Sequence, residues 1–275
     1  MPYAVKERRI DGGQLVSPTP KPALDMSVNV AGITLKNPVM AASGSFGYGV
    51  EFEDVVTLHR LGGFVVKGLS REPMAGHPPP RLFETAAGML NAIGLQNVGV
   101  RAFLEEKLPL LNNIKNIVFF CNVFGHSQEE YEDVVRILND GEGIAAYELN
   151  VSCPNTKCGG ISFGSDPKML FEVVSAVKKI ATRPLIVKLS PNVTSIPEVA
   201  RAAEEAGADA ISLVNTFMAM AIDAETRKPR ISNVTAGLSG PQLRPFSQAA
   251  SREINIAVVG SELPPDGKAG SAHVC

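Results

Sequence analysis

At 275 residues, with 45% hydrophobic and 20% charged side chains, the chain can bury a sizeable core, either as one large α/β barrel or as two smaller domains. A net charge of −2 gives no electrostatic reason to expect nucleic acid or an anionic membrane as partner. No apolar run reaches the roughly 18 residues a bilayer span needs.

The N-terminal residues mix Lys6, Glu7, Arg8, Arg9 and Asp11 with prolines and lack an apolar segment. No secretory signal is read there, and a cytoplasmic location is expected. Residues 1–25 are read as a flexible leader. Ser27 to Leu35 then reads as a hairpin, two alternating runs around Ala31-Gly32. Pro38-Val-Met-Ala-Ala is the first buried strand and empties into the glycine-rich run Ser43 to Gly49. Those glycines allow backbone amides to approach a ligand closely, although their spacing is not a dinucleotide fingerprint.

A helix is expected over about 52–61, then a second strand from Gly63 ending at Lys67-Gly68. A lysine closing a buried strand must find a partner or face a cavity. Arg81 to Ile93 reads as a hairpin with its turn at Ala86-Ala87-Gly88, followed by a helix from Val100 to Leu111. Ile117 to Val123 is strand three, and Ser127 with Glu130 forms a capping box for the next helix.

Strand four, Ala145 to Val151, turns polar at once into Ser152-Cys-Pro-Asn155 and a Gly-Gly pair. A thiol, a hydroxyl and two carboxamides therefore reach one spot. Carboxamides suit recognition of a planar polar ligand. A thiol there can serve as nucleophile, proton acceptor or metal ligand, or be an incidental buried cysteine. Cys121, Cys153, Cys158 and Cys275 do not have zinc or iron–sulfur spacing, so no metal is expected.

Asp166-Pro167 caps a helix whose apolar face is Leu170, Val173, Val174, Val177 and Ile180. Strand five is Pro184 to Ser190. Ser195 with Glu198 opens a helix that stops at Gly207, and strand six is Ala210 to Thr216. A long loop ends at Gly237 to Pro241. A short helix and Ile256 to Gly260 make the seventh unit.

Alternating strands and helices at this spacing predict an α/β fold of the TIM (β/α)8-type barrel. Ser43, Lys67, Asn122, Asn150, Lys188 and Asn215 all fall at C-terminal strand ends, which in such a barrel form one ligand-binding face.

The stretches Asn37 to Gly49, Val66-Lys-Gly68, Asn91 to Asn97, Glu148 to Asn155 and Val187 to Asn192 resemble dihydroorotate dehydrogenase. Within that family the chain is similar to the bacterial class whose catalytic subunit works with an electron-transfer subunit to reduce NAD. The likeness runs from about Met26 to Pro241. It implies an FMN-dependent oxidoreductase barrel over 26–260, with FMN near Ser43, Lys67, Gly68, Asn122, Asn150, Lys188, Val214 and Gly240. It implies dihydroorotate held by Lys67, Asn91, Ala92, Ile93, Gly94, Leu95, Asn150, Asn155, Asn215 and Thr216. Cys153 would be the catalytic base, Lys67 would assist it, and Lys188 would face the reduced flavin. FAD and an iron–sulfur cluster are expected on a partner subunit, in a heterotetramer built on a homodimer of this chain.

Relatives in this family follow strand seven with a Gly-Gly turn, a helix and an eighth strand. Here residues 261–275 are polar and broken by prolines, and they are expected to form an irregular tail without that strand, leaving the sheet open. Two alternatives accompany this reading. One is a truncated, non-catalytic remnant that does not retain FMN. The other is a related flavin-dependent pyrimidine reductase.

Overall fold

The computed structural model describes residues 10–11, 14–15, 24–152, 154–155, 161–252, 254, 258–260 and 272–274. Eight parallel strands close into a barrel: β1 (Val39–Ala41), β2 (Gly63–Val65), β3 (Phe119–Val123), β4 (Ala146–Asn150), β5 (Leu185–Lys188), β6 (Ala210–Leu213), β7 (Val258–Gly260) and β8 (Ala272–Val274). Each pairs with its chain neighbour, and β8 pairs with β1 to complete the ring.

This closure corrects the expected open edge. β8 lies beside β7 through Val259 opposite Ala272 and beside β1 through Val274 opposite Met40. Three extended residues suffice for backbone pairing on both sides, and Ala-His-Val is too short for its alternation to stand out as a strand in the sequence. The remainder of the 261–275 tail lies outside the described residues. Within the 1–25 leader, Ile10–Asp11 pairs antiparallel with Gln14–Leu15.

The barrel interior is layered. Met40, Val65, Phe120, Ala146, Ile186 and Ala210 form one buried apolar layer, and the hairpin Val28–Val30 with Ile33–Leu35 closes it from below through Val30 and Leu35. The hairpin turn has positive φ at Ala31 (51°) and Gly32 (83°), the two-residue geometry that matches strand twist. One residue pair further along the strands, Asn122 and Glu148 sit side by side in register, so polarity begins well before the barrel mouth.

Outward-facing strand residues such as Tyr147, Leu149, Leu185 and Val187 pack on the helices α1 (Gln128–Asn139), α2 (Pro167–Ile180) and α3 (Ile196–Glu205). Val134, Val135 and Leu138 of α1 and Leu170, Val173, Val174 and Val177 of α2 are buried, as their spacing predicts; Ile180 is only half-buried. Burying each such side chain contributes about 1.5–3 kcal/mol. The caps form as expected. Ser127 Oγ accepts from the Glu130 amide, Asp166 Oδ1 accepts from the Lys168 and Met169 amides, and Ser195 Oγ accepts from the Glu198 amide. A helical stretch over 100–113, with a π-type turn at Phe103–Lys107, leads into β3, and α4 (Arg244–Arg252) precedes β7.

The helix expected over about 52–61 does not form. Two short 3-10 turns, Val50–Phe52 and Leu58–Arg60, take its place. From Glu51 to Val55 every residue is exposed, so a helix there would have had no apolar face to bury.

Above the barrel mouth lies a four-stranded antiparallel sheet in the spatial order Phe217–Ala219, Ala236–Ser239, Gly88–Asn91 and Leu82–Thr85. The hairpin read over 81–93 is its outer half, with the turn at Ala86-Ala87. The long loop after β6 supplies the other two strands. Leu90, Ala92, Ile231 and Ala236 form this sheet's own small core.

Candidate active site at the barrel mouth

The six strand-end residues do not all meet in one hydrogen-bonded group. The structure gathers them into two neighbourhoods at the C-terminal ends of the strands.

The first joins the ends of β4 and β6. Asn215 Nδ2 donates to Asn150 Oδ1 at 3.1 Å and to Ser152 Oγ at 3.0 Å. Asn150 Oδ1 also accepts from the Ser152 amide at 3.2 Å, while the Asn150 carbonyl accepts from the buried Tyr131 hydroxyl at 2.7 Å. Asn215 Oδ1 accepts from the Thr216 amide at 2.8 Å, which turns the Thr216 side chain over Gly237. A Cβ at Gly237 would lie 2.2 Å from Thr216 Oγ1, so only glycine lets the mouth sheet approach this closely.

These residues border a cavity of about 310 Å³ lined by Leu95, Asn150, Ser152, Asn192, Thr216 and Met218, among others. Asn91 reaches the same region from the hairpin, its Nδ2 3.4 Å from the Gly237 carbonyl. Leu95 (φ 54°) and Gly94 (φ 72°) take left-handed backbone as this segment turns toward the mouth. Ala92 is buried, and the Ile93 carbonyl accepts from the His77 amide, so those two hold the segment and do not line the cavity.

The second neighbourhood lies at the ends of β1, β2, β3 and β5. Ser43 Oγ donates to the Val66 carbonyl at 2.8 Å, tying the first strand end to the second. Asn122 Nδ2 donates to Glu148 Oε1 at 2.6 Å, and both side chains are buried. A Cβ at Gly68 would come within 2.7 Å of Asn122 Oδ1, so the glycine after Lys67 permits that carboxamide to sit beside the backbone.

Burial pushes the Lys67 ammonium below the usual lysine range, and the neighbouring charges of Lys188 and then Arg81 push it further the same way. Among the described residues neither Lys67 nor Lys188 has a carboxylate at ion-pair distance. Two lysines without an acidic partner, with the Arg81 charge close by, favour an anion on this side of the mouth.

Val214 follows a cis peptide bond from Leu213 at the end of β6. Gly240 (φ 139°) packs against the Ala87–Gly88 turn of the hairpin. Cys153 lies outside the described residues. Asn155 is described through its backbone alone, where Pro154–Asn155 pairs with Ile161–Ser162. Cys121 is fully buried behind β3, and burial pushes its thiol far up, which leaves it a packing residue.

Sequence reasoning passed over Asn192, Glu148 and Arg81 as site residues. Asn192 follows β5 by the same strand-end rule that singles out Lys188, and that signal was there to be used. Glu148 was hidden in an apolar run. Arg81 follows three prolines and reads simply as the start of a hairpin.

A family model described as dihydroorotate dehydrogenase matches residues 25–264. A protein of Solibacter usitatus (strain Ellin6076), which carries the provisional name dihydroorotate dehydrogenase A (fumarate), is 61% identical over 239 residues, or 86% of this chain and 78% of that protein. The dihydroorotate dehydrogenase B (NAD(+)), catalytic subunit, of Citrifermentans bemidjiense is 56% identical over 81% of this chain and 73% of its own length. That of Geobacter sulfurreducens is 52% identical over 86% and 78%. The crystal structure of DHODH in complex with ferulenol from Eimeria tenella superposes with a TM-score of 0.68 at 20% identity, covering 87% of this chain and 73% of that one, a likeness of fold. The family match over most of the chain and the identities above one half both say that this chain belongs to the dihydroorotate dehydrogenase family.

Proposed function

We propose that the chain oxidises (S)-dihydroorotate to orotate in pyrimidine biosynthesis as an FMN-dependent catalytic subunit. The observation that carries this reading is the Asn150–Asn215 carboxamide pair bordering the cavity, with the unpartnered cations Lys67 and Lys188 at the same mouth. A pyrimidine ring offers alternating donors and acceptors that uncharged carboxamides match, and its carboxylate calls for a cation.

The residues present fit FMN by their chemistry. Lys188, Asn122 and the Ser43 and Gly68 strand ends would border the isoalloxazine, and bound FMN would supply the hydride acceptor for C6 of the substrate. Lys67 would hold the carboxylate, and Asn91, Asn150, Asn215 and Thr216 the ring edge. The Cys153 Sγ would take the proton from C5, leaving the C5–C6 double bond of orotate. A thiolate serves near neutrality when cations and amides depress its pKa, and the cation-rich mouth supports that role.

The names of the relatives divide over the electron acceptor. Several at 50–56% identity carry the NAD(+) name, and the 61% relative carries the fumarate name. The NAD-linked reading is favoured by the number of such relatives. It entails a partner subunit bearing FAD and an iron–sulfur cluster, a heterotetramer around a homodimer, and a cytoplasmic site of action. No helix among the described residues is long and apolar enough to cross a membrane.

Purified chain loaded with FMN and mixed anaerobically with dihydroorotate should bleach the flavin absorbance within the mixing time and release orotate. No bleaching by dihydroorotate in FMN-loaded protein would overturn the reading, and bleaching by another dihydropyrimidine alone would favour a related reductase. NAD reduction only after addition of an electron-transfer subunit is the expected acceptor result. Fumarate reduction by the isolated chain would replace it with the other class.

A further inference from the structure

The loop after β5 runs Ser190-Pro191-Asn192, and the Asn192 carboxamide is engaged at both ends by one neighbouring loop. Its Nδ2 donates to the Thr216 carbonyl at 3.0 Å, and its Oδ1 accepts from the Met218 amide at 2.9 Å. A residue in a parallel ladder bonds its neighbour in this way, donating to one residue and accepting from the next but one. The Asn192 side chain thus continues, above the barrel, the pairing between β5 and β6, whose last backbone bonds run from the Leu189 amide to the Ser212 carbonyl and from the Asn215 amide to the Leu189 carbonyl. Its own position is set by Ser190, whose Oγ accepts from the Asn192 amide at 3.2 Å.

Thr216 and Met218 both border the cavity, and Thr216 directly follows Asn215. Asn192 is exposed at the rim, and its carboxamide is spent on the loop and does not point a free group at a ligand.

We propose that Asn192 is a positioning residue for the pyrimidine ligand. By holding the 216–218 backbone it fixes the Asn215–Thr216 segment before the ligand arrives, so the ordering cost is met in folding and not in binding. This inference rests on the functional reading above. It predicts that losing the contact weakens ground-state binding more than it slows chemistry, because Asn192 touches no reacting atom.

The test uses FMN-loaded full-length protein and orotate, with binding followed by the perturbation of the flavin spectrum and turnover measured separately with dihydroorotate. Asn192→Ala removes both neutral hydrogen bonds to the 216–218 segment, with a longer one from Nδ2 to Ser190 Oγ at 3.4 Å, and should raise the orotate Kd and the dihydroorotate KM about tenfold. The kcat should stay within about twofold, and flavin content should match wild type. Asn192→Asp has the same shape, keeps the acceptor for the Met218 amide and loses the donor to Thr216. It should also bind orotate more weakly than wild type while retaining flavin.

Unchanged orotate affinity in Asn192→Ala overturns the proposal. So does loss of flavin or of folding in both variants, which would make Asn192 an ordinary structural residue. Failure of the wild-type protein to bind orotate at all would instead strike the functional reading, so the two failures are distinguishable.

Discussion

Asn215 reaches across the end of β5 to Asn150, its Nδ2 donating to the Asn150 Oδ1 at 3.1 Å. The two side chains come from the strands that flank β5 and do not pair with each other, so the contact aligns two carboxamides across one intervening strand. Asn215→Ala should cut kcat/KM for dihydroorotate about 10- to 100-fold, the loss expected when a polar site group goes unpaired. Steady-state kinetics on FMN-loaded protein reads this directly. A variant within twofold of wild type would remove Asn215 from the ligand site.

A buried pair, Asn122 with Glu148, backs the strand ends proposed to border FMN. Asn122 donates to Glu148 at 2.6 Å between adjacent strands, with 1% and 2% of each residue exposed. Glu148→Ala leaves the Asn122 amide without this partner in a site closed to water, a cost of about 1–3 kcal/mol. The melting temperature should fall by several degrees and FMN should bind more weakly, because Asn122 loses its fixed orientation. Asn122→Ala with Glu148→Ala together should cost less than the sum of the two single changes. Strict additivity in that double-mutant cycle would mean that the pair does not act as a unit.

Lys67 makes a prediction about pH. Burial, then Lys188, then Arg81 lower its pKa in the folded protein below 10.5. Between the lowered value and 10.5 the unfolded chain binds more protons than the folded one, so stability of the ligand-free protein rises with pH across that window. The penalty is therefore full below the folded pKa and gone above the unfolded one. Lys67→Met should stabilise the ligand-free protein at neutral pH and lose that advantage in strongly alkaline buffer, while weakening orotate binding. Chemical denaturation at a series of pH values tests it. A Lys67→Met protein less stable than wild type at pH 7 would show that Lys67 has a stabilising partner.

How far the fold was legible in the sequence depends on what signalled each element. Runs such as Phe119–Val123 and Ala146–Asn150 are apolar because both faces are buried, and Ser127, Asp166 and Ser195 announce helix starts by side-chain oxygens that do bond the expected amides. The β1–β2 crossover misled because Phe52, Val55 and Leu58 look helical in spacing, yet only Leu58 is buried. In the site, Asn150 and Asn215 were readable as strand-end polar residues, whereas Thr216 came only with the family resemblance. Asn192 follows a strand end too and the same rule reaches it, but its role is not legible there, because its bond to the Thr216 carbonyl spans 24 residues of sequence and no local pattern records that. Cys153 carries the proposed proton transfer on sequence alone.

The eighth strand provides the last prediction. Ala272–Val274 fills the gap between β7 and β1, with His273 opposite both Gly260 and Val39. Removing residues 272–275 would leave two strands with an unpaired edge, and β1 leads directly to Ser43, which is tied to the second strand end. Each lost backbone hydrogen bond has a net value of about 0.5–1.5 kcal/mol, so the total cost should be on the order of a few kcal/mol. His273→Pro deletes one ladder N–H without shortening the chain and should give a smaller effect in the same direction. On the proposed reading, in which FMN binds the closed barrel, melting temperature and flavin affinity should fall together in both variants, and added FMN should restore part of the lost thermal stability. The measurements are thermal melts with and without FMN, alongside a flavin titration. Equal melting temperature and equal flavin affinity in wild type and the truncated chain would show that residues 272–274 do not close the barrel in solution.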